Sequence, residues 1–148
     1  MLFPQKLITI FHLSRTEKLL FLEAILFLAL ARFLKVIPFK RLTRTLGNHM
    51  CESSFQEDPS LYGTIKSISC AIHIMSRYTF WESKCLVKAI AGMKMLQRRG
   101  IESTLYLGTA KDEDGKMIAH AWLRSGSYYV CGAEEMKRFT VISKFANK

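Results

Sequence analysis

The sequence predicts an α+β protein, with helices first and a small antiparallel sheet after them. Three observations predict it. Apolar residues recur at spacings of three and four through residues 61–78 and again through residues 83–99. After Gly100 that period gives way to short runs rich in β-branched and aromatic residues, separated by polar turns. A cysteine falls at the start of the second helical segment, and a histidine falls inside one of the later strands.

Residues 1–13 (MLFPQKLITIFHL) are apolar, contain Pro4 and show no clear period. Ser14 or Thr16 can cap a long helix over residues 17–34. Its middle, residues 25–31, is apolar around the whole circumference. Only eight uncharged residues separate Glu23 from Arg32, whereas a membrane span needs roughly 20 apolar residues. A buried helix, or one lying on a membrane surface or a partner, is the better reading. No small-residue cleavage site follows the run, so it is a poor signal peptide. Pro38 ends this helix, the basic segment 39–44 (FKRLTR) begins a second short one, and Gly47-Asn48 closes it. Residues 51–60 (CESSFQEDPS) are polar, hold Pro59 and read as a surface loop. Ile65, Ile68, Ile72 and Met75 then mark a helix packed on the core. No internal repeat or low-complexity tract appears. The length suits a single domain over residues 1–148, read as a helical N-terminal extension over 1–60 and a catalytic core over 61–148.

In the next helix Ser83 is the expected N-cap. Leu86, Val87, Ile90, Met93 and Leu96 form its buried stripe, and Arg98, Arg99 and Gly100 suit its C-terminal end. Cys85 then lies two residues past the cap, where unpaired N–H groups and the positive end of the helix dipole favour an anion. Taken alone, Cys85 reads more simply as a small buried residue, since free cysteine is among the most buried types. His120 changes that balance. Residues 101–109 (IESTLYLGT) and 117–123 (MIAHAWL) read as a hairpin around the polar turn 111–116. His120 has Ala119 and Ala121 beside it, which leave room around an imidazole, and Trp122 can exclude water. A lone histidine in an apolar strand is usually a core residue satisfied by one hydrogen bond. A thiol at a helix start and an imidazole on a following strand, however, are the working pair of a cysteine nucleophile enzyme.

Residues 124–127 form a tight turn, 128–130 a third strand broken by Gly132, 134–138 a turn of helix, and 139–142 a short final strand. With Ser125-Gly126 as the hairpin tip, His120 faces Cys131, which is no carboxylate. The group that orients His120 is therefore open: Glu134, Glu135, Asp112, Asp114, a backbone carbonyl or a water.

Twenty-two Lys and Arg against twelve acids leave a net charge of +10, which attracts an acidic peptide, an anionic membrane surface or nucleic acid. Nucleic-acid binding is disfavoured, because no aromatic-studded basic strand or binding motif is present. The four cysteines, Cys51, Cys70, Cys85 and Cys131, form no C-x-x-C pair, so reduced thiols of a cytoplasmic protein are expected and a structural zinc site is not. Cys70 and His73 stand three apart without a second such pair and read as packing residues. No cofactor and no metal are expected.

The set W-x-x-x-C-L-V-x-A, R-R-G-I-x-S-T-L-Y-L-G, K-D-x-D-G-K and A-H-A-W-L, with the tail G-A-E-E-M-K-R-F-T-V-I-S-K-F, resembles the lasso-peptide maturation proteases. It is most similar to the stand-alone leader-peptidase half of the lasso-peptide B protein, within the transglutaminase-like cysteine protease superfamily. The N-terminal helix followed by Leu-x-x-Ile-Pro-Phe-x-Arg-Leu is similar too, so the resemblance spans nearly the whole chain. It implies a transglutaminase-like, papain-like fold with the nucleophile on a helix N-terminus. It implies a cysteine peptidase with Cys85 and His120 as catalytic residues, removing the leader from a ribosomally made precursor before macrolactam closure. The partners implied are the precursor peptide, a separate leader-recognition protein and the lasso cyclase, in the cytoplasm or at a membrane surface. The alternatives are an acyl transferase using the same pair, and a non-enzymatic basic scaffold that binds a membrane or partner.

Overall fold

A computed structural model describes residues 12–148. The apolar start over residues 1–11 lies outside the described residues. Helix α1 (Arg15–Leu34) opens on a capping box: Glu17 N–H donates to Ser14 Oγ at 3.2 Å, and Ser14 N–H donates to Glu17 Oε2 at 2.8 Å. This box sets the start two residues earlier than the apolar pattern alone suggests. Ala24, Leu28 and Ala31, spaced four and three apart, are fully buried on one stripe. Pro38 then starts the short α2 (Phe39–Thr43), which buries Leu42.

Helix α3 (Pro59–Met75) is capped by Asp58, whose Oδ1 accepts from Ser60 N–H at 2.9 Å, with Pro59 in the first turn. It buries Ile65, Ile68, Ile72 and Met75, the stripe expected from their spacing. Helix α4 (Cys85–Gln97) ends on Gly100 at φ +66°. There Ile101 N–H donates to Leu96 O and Gly100 N–H to Gln97 O, both at 3.0 Å, in a Schellman closure.

The sheet contains β1 (Asn48–His49), β2 (Ser103–Lys111), β3 (Met117–Ser125), β4 (Tyr128–Cys131) and β5 (Thr140–Asn147). Its order is β1-β5-β2-β3-β4, with every pair antiparallel. The expected hairpin of β2 and β3 is present. The last strand is longer than residues 139–142. It crosses over to lie between β1 and β2, leaving a 3-10 turn (Met136–Arg138) between itself and β4. The two-residue β1 went unforeseen, because its only signals are its pairing to β5 and the His49 Nε2 contact with Ser143 Oγ at 2.8 Å. Helix α1 and strand β1, both within residues 1–60, join the same core and the same sheet as the later elements.

The helices cover one face of the sheet. A Cβ at Gly92 of α4 would lie 2.8 Å from Leu123 Cδ2 and 3.1 Å from Ile72 Cδ1, so glycine lets α4 settle closely against β3 and α3. The other face holds Tyr106, Trp122 and Arg124. Arg124 is only 1% exposed. It donates to Ser53 O and Ser54 O at 3.1 Å each, to Gly126 O at 2.6 Å and to Tyr106 Oη at 3.0 Å, and it lies 3.6 Å over the Phe55 ring. The segment expected as a plain surface loop is thus stapled over the second face. Tyr106 in turn donates to Glu52 Oε1 at 2.6 Å, and burial pushes its hydroxyl up to about 12. Among the described residues no helix is long and apolar enough to cross a membrane.

The Glu23 carboxylate of α1 accepts two 2.7 Å hydrogen bonds from Arg99, just beyond α4, and its side chain is 12% exposed. The Arg99 hydrogen bonds hold this carboxyl below its usual value, against the opposing effect of burial. Glu23→Gln is expected to cost about 1–3 kcal/mol at pH 7 in urea unfolding. A lowered folded value means that the stabilisation is fully present above about pH 4.5, the ordinary value, and is lost as pH falls through the folded value. The gap between wild type and variant should therefore close in acid. Gly92→Ala should cost about 1–3 kcal/mol by overpacking, read as a lowered urea midpoint.

Candidate active site

Cys85 is the first residue of α4. The N-cap is Lys84, with no side-chain hydrogen bond, and not Ser83 as expected. Ser83 Oγ instead pairs with Thr79 Oγ1 at 2.8 Å in the preceding turn. The cysteine is therefore one position closer to the helix end. The opening N–H groups are left without a side-chain acceptor among the described residues, which keeps the positive dipole end available to an anion. Cys85 is half-buried and packs against the core.

His120 lies on β3 opposite Gly108 of β2. A Cβ at Gly108 would come within 2.9 Å of the Trp122 ring and of Phe139 Cβ. The glycine therefore opens the space in which these rings flank the imidazole. His120 stacks on Phe139 at 5.0 Å between centroids and on Trp122 at 5.9 Å, with interplanar angles of 30° and 27°. Its Nε2 lies 2.8 Å from Gly132 O. A carbonyl only accepts, so Nε2 carries the proton, and in the neutral ring the free lone pair is on Nδ1.

Gly132 ends β4 at φ +80°. A Cβ there would press into the Ala121 carbonyl oxygen and Trp122 Cβ. Glycine alone lets the chain turn so closely along β3, and the turn is what places the carbonyl beneath the imidazole. The group that orients His120 is therefore backbone, not a carboxylate. Glu134 and Glu135 are exposed, and Asp112 Oδ1 is engaged by the N–H groups of Asp114 and Lys116 in the hairpin turn. Asp114 is exposed in the same turn.

The expected facing of His120 and Cys131 is also corrected. Ser125 pairs with Tyr128, so the tip is Gly126-Ser127, and a bulge between Leu123 and Arg124 sets Cys131 opposite Leu123. Cys131 is completely buried, which pushes its thiol up to about 12, with the nearby Cys85 adding a smaller push. It is thereby a poor nucleophile. Cys51 and Cys70 are exposed on the loop after β1 and on α3.

By strand alternation Ala121 and Leu123 face α4, and His120 and Trp122 face away. Among the described residues no hydrogen bond joins Cys85 Sγ to the His120 ring. The imidazole is held instead by the Gly132 carbonyl. Before Leu123, residues 117–122 of β3 pair with no described strand on the side away from β2. That free edge, between the two faces, offers backbone donors and acceptors to an extended peptide. The Trp81 indole N–H, in the segment leading to Cys85, is buried without a partner among the described residues. Sequence reasoning named Gly132 only as a strand breaker and Trp81 only as the first residue of the W-x-x-x-C motif, and it missed Gly108, to which no local signal pointed.

Among the described residues no group of three His, Cys, Asp or Glu side chains could hold a metal. His73 Nδ1 is 2.7 Å from Ser69 O within α3. The helix-start thiol, the strand imidazole and the antiparallel sheet beside them fit one class, cysteine-dependent enzymes of mixed α+β fold. The family model of the transglutaminase-like superfamily matches residues 33–144, and the chain belongs to that superfamily. Its members are typically cysteine-dependent enzymes and include both proteases and acyl transferases. No curated protein and no solved structure matches the chain.

Gly132→Ala should destabilise the fold by more than about 1 kcal/mol, because alanine resists this positive φ. It should also loosen the imidazole. In ¹⁵N-detected spectra, wild-type His120 at high pH is expected as the Nε2–H tautomer, and the variant as a mixture. A dominant Nδ1–H form in the wild type would contradict the assigned hydrogen bond.

Proposed function

We propose that this protein is a cysteine peptidase that removes the leader from a lasso-peptide precursor, with Cys85 as nucleophile and His120 as general base and acid. The observation that carries this reading is the His120–Gly132 hydrogen bond. It commits Nε2 and leaves Nδ1 as the free base; in this reading the Cys85 thiol, which shares no hydrogen bond with the ring among the described residues, meets Nδ1 and gives it the proton when the peptide is bound. The thiolate then attacks the scissile carbonyl carbon, and the Cys85 backbone N–H at the uncapped helix start supports the developing oxyanion. The Trp81 indole N–H is the candidate second donor. Nδ1–H next protonates the leaving amine, releasing one peptide fragment and leaving the other as a thioester on Cys85. Water, losing its proton to Nδ1, cleaves the thioester and restores the thiol.

The net charge of +10 suits an acidic leader. A separate recognition protein would present that leader, and the cyclase would take the released core. All four cysteines are free, which fits work in a reducing cytoplasm. Residues 1–148 act in this reading as one catalytic unit.

The test is cleavage of a precursor in the presence of its recognition protein, followed by mass spectrometry. Cys85→Ala and His120→Ala are each expected to lower the rate at least about 10³-fold, while the melting temperature holds. Leader removal by Cys85→Ala at the wild-type rate would end the proposal. Because the superfamily also contains acyl transferases, a labelled amine is added. Its incorporation in place of water would assign transfer instead of hydrolysis.

A further inference from the structure

Helix α1 has two apolar faces, and the core uses one. Ala24, Leu28 and Ala31 are buried. Leu19, Leu22, Leu26, Leu30 and Phe33 form a second stripe on the solvent side, with Leu26 61% and Phe33 68% exposed. The spacings of three and four keep these five on one line, about 21 Å long at 1.5 Å per residue. The apolar surface runs on past the helix through exposed Val36 and Phe39. A contiguous ridge of this kind is unusual on a protein with no covering partner.

The charges around the ridge identify what covers it. Between residues 15 and 44 the acids are Glu17 and Glu23 alone, and both are engaged, in the capping box and with Arg98 and Arg99. Arg15 stands at one end of the ridge. Arg32, Lys40, Arg41 and Arg44 gather at the other, beside Phe33, Val36 and Phe39. A second copy of the chain would bring another +10 of charge against this surface, which opposes self-association.

We propose that α1 and α2 seat the protein on an anionic lipid surface. The leucine and phenylalanine ridge enters the interface, and the arginines and Lys40 contact the headgroups. The helix lies on the membrane and does not cross it. This inference stands apart from the catalytic reading, because it uses no residue of the candidate site.

The experiment is co-sedimentation of the full chain with vesicles of phosphatidylcholine alone or with phosphatidylglycerol added. Binding is expected to be at least tenfold stronger on the anionic vesicles and to weaken as salt is raised. Leu26→Glu with Phe33→Glu should weaken it at least tenfold. Arg41→Glu with Arg44→Glu should do the same on anionic vesicles only. All four side chains are outside the core, so unchanged melting curves should accompany both losses. No binding to anionic vesicles, equal binding to neutral ones, or wild-type binding by the Leu26/Phe33 variant would overturn the proposal. A dimer in light scattering that the same variant splits would also overturn it, by assigning the ridge to a second copy.

Discussion

A side chain at position 132 would collide with the carbonyl oxygen of Ala121, so the chain can leave β4 as it does only through glycine. This close passage of backbone against backbone governs the candidate site. It stops β4 at Cys131, leaves β3 before Leu123 without a strand partner on that side among the described residues, and turns the Gly132 carbonyl toward His120. A backbone acceptor has no rotamers to search and no proton to lose, so it holds one imidazole tautomer without titrating itself. A carboxylate in that place would also stabilise the imidazolium through its charge, which a carbonyl dipole does only in part.

The site is held by packing from both sides of the sheet. On the helix side, Gly92 lets α4, which begins at Cys85, approach β3. Glu23 and Arg99 tie the far end of that helix to α1. On the other side, Arg124 gathers the carbonyls of the 50–58 loop, and its neighbour Tyr106 stacks on Trp122 at 5.6 Å, which in turn stacks on His120. The imidazole thus sits between Phe139 and Trp122 in an aromatic row whose far end, at Tyr106, is anchored by a fully hydrogen-bonded buried guanidinium. Buried polar groups of this kind stabilise only while every donor is met, so the row and the loop stand or loosen together.

Superfamily membership and the peptidase reading lie at different depths. The fold and the cysteine dependence of such enzymes follow from a match over residues 33–144. The choice between water and an amine as acceptor depends on what reaches the acyl group carried by the cysteine. The basic, apolar-ridged α1–α2 surface lies partly ahead of the matched segment.

The local features were legible in the chain. The helices over residues 15–34 and 59–75, the Gly100 stop, the β2–β3 hairpin and the placing of Cys85 at a helix start all rest on residues within a few positions of one another. Caps, periodicity and turns are interactions of that range. What escaped the sequence depends on distant partners. Ser83 failed as a cap because Thr79 takes its hydroxyl, and the hairpin tip at Gly126-Ser127, with a bulge between Leu123 and Arg124, moved Cys131 from the position that simple counting gave it. The strand β1 exists only through β5, whose Ser143 lies 94 residues from His49. The loop over the second face is fixed by an arginine some 70 residues away. The sequence by itself determined which residues had to be buried and where helices and turns must begin. Only tertiary structure decided which backbone carbonyl would meet the histidine, because close approach of two strands is a property of the assembled sheet.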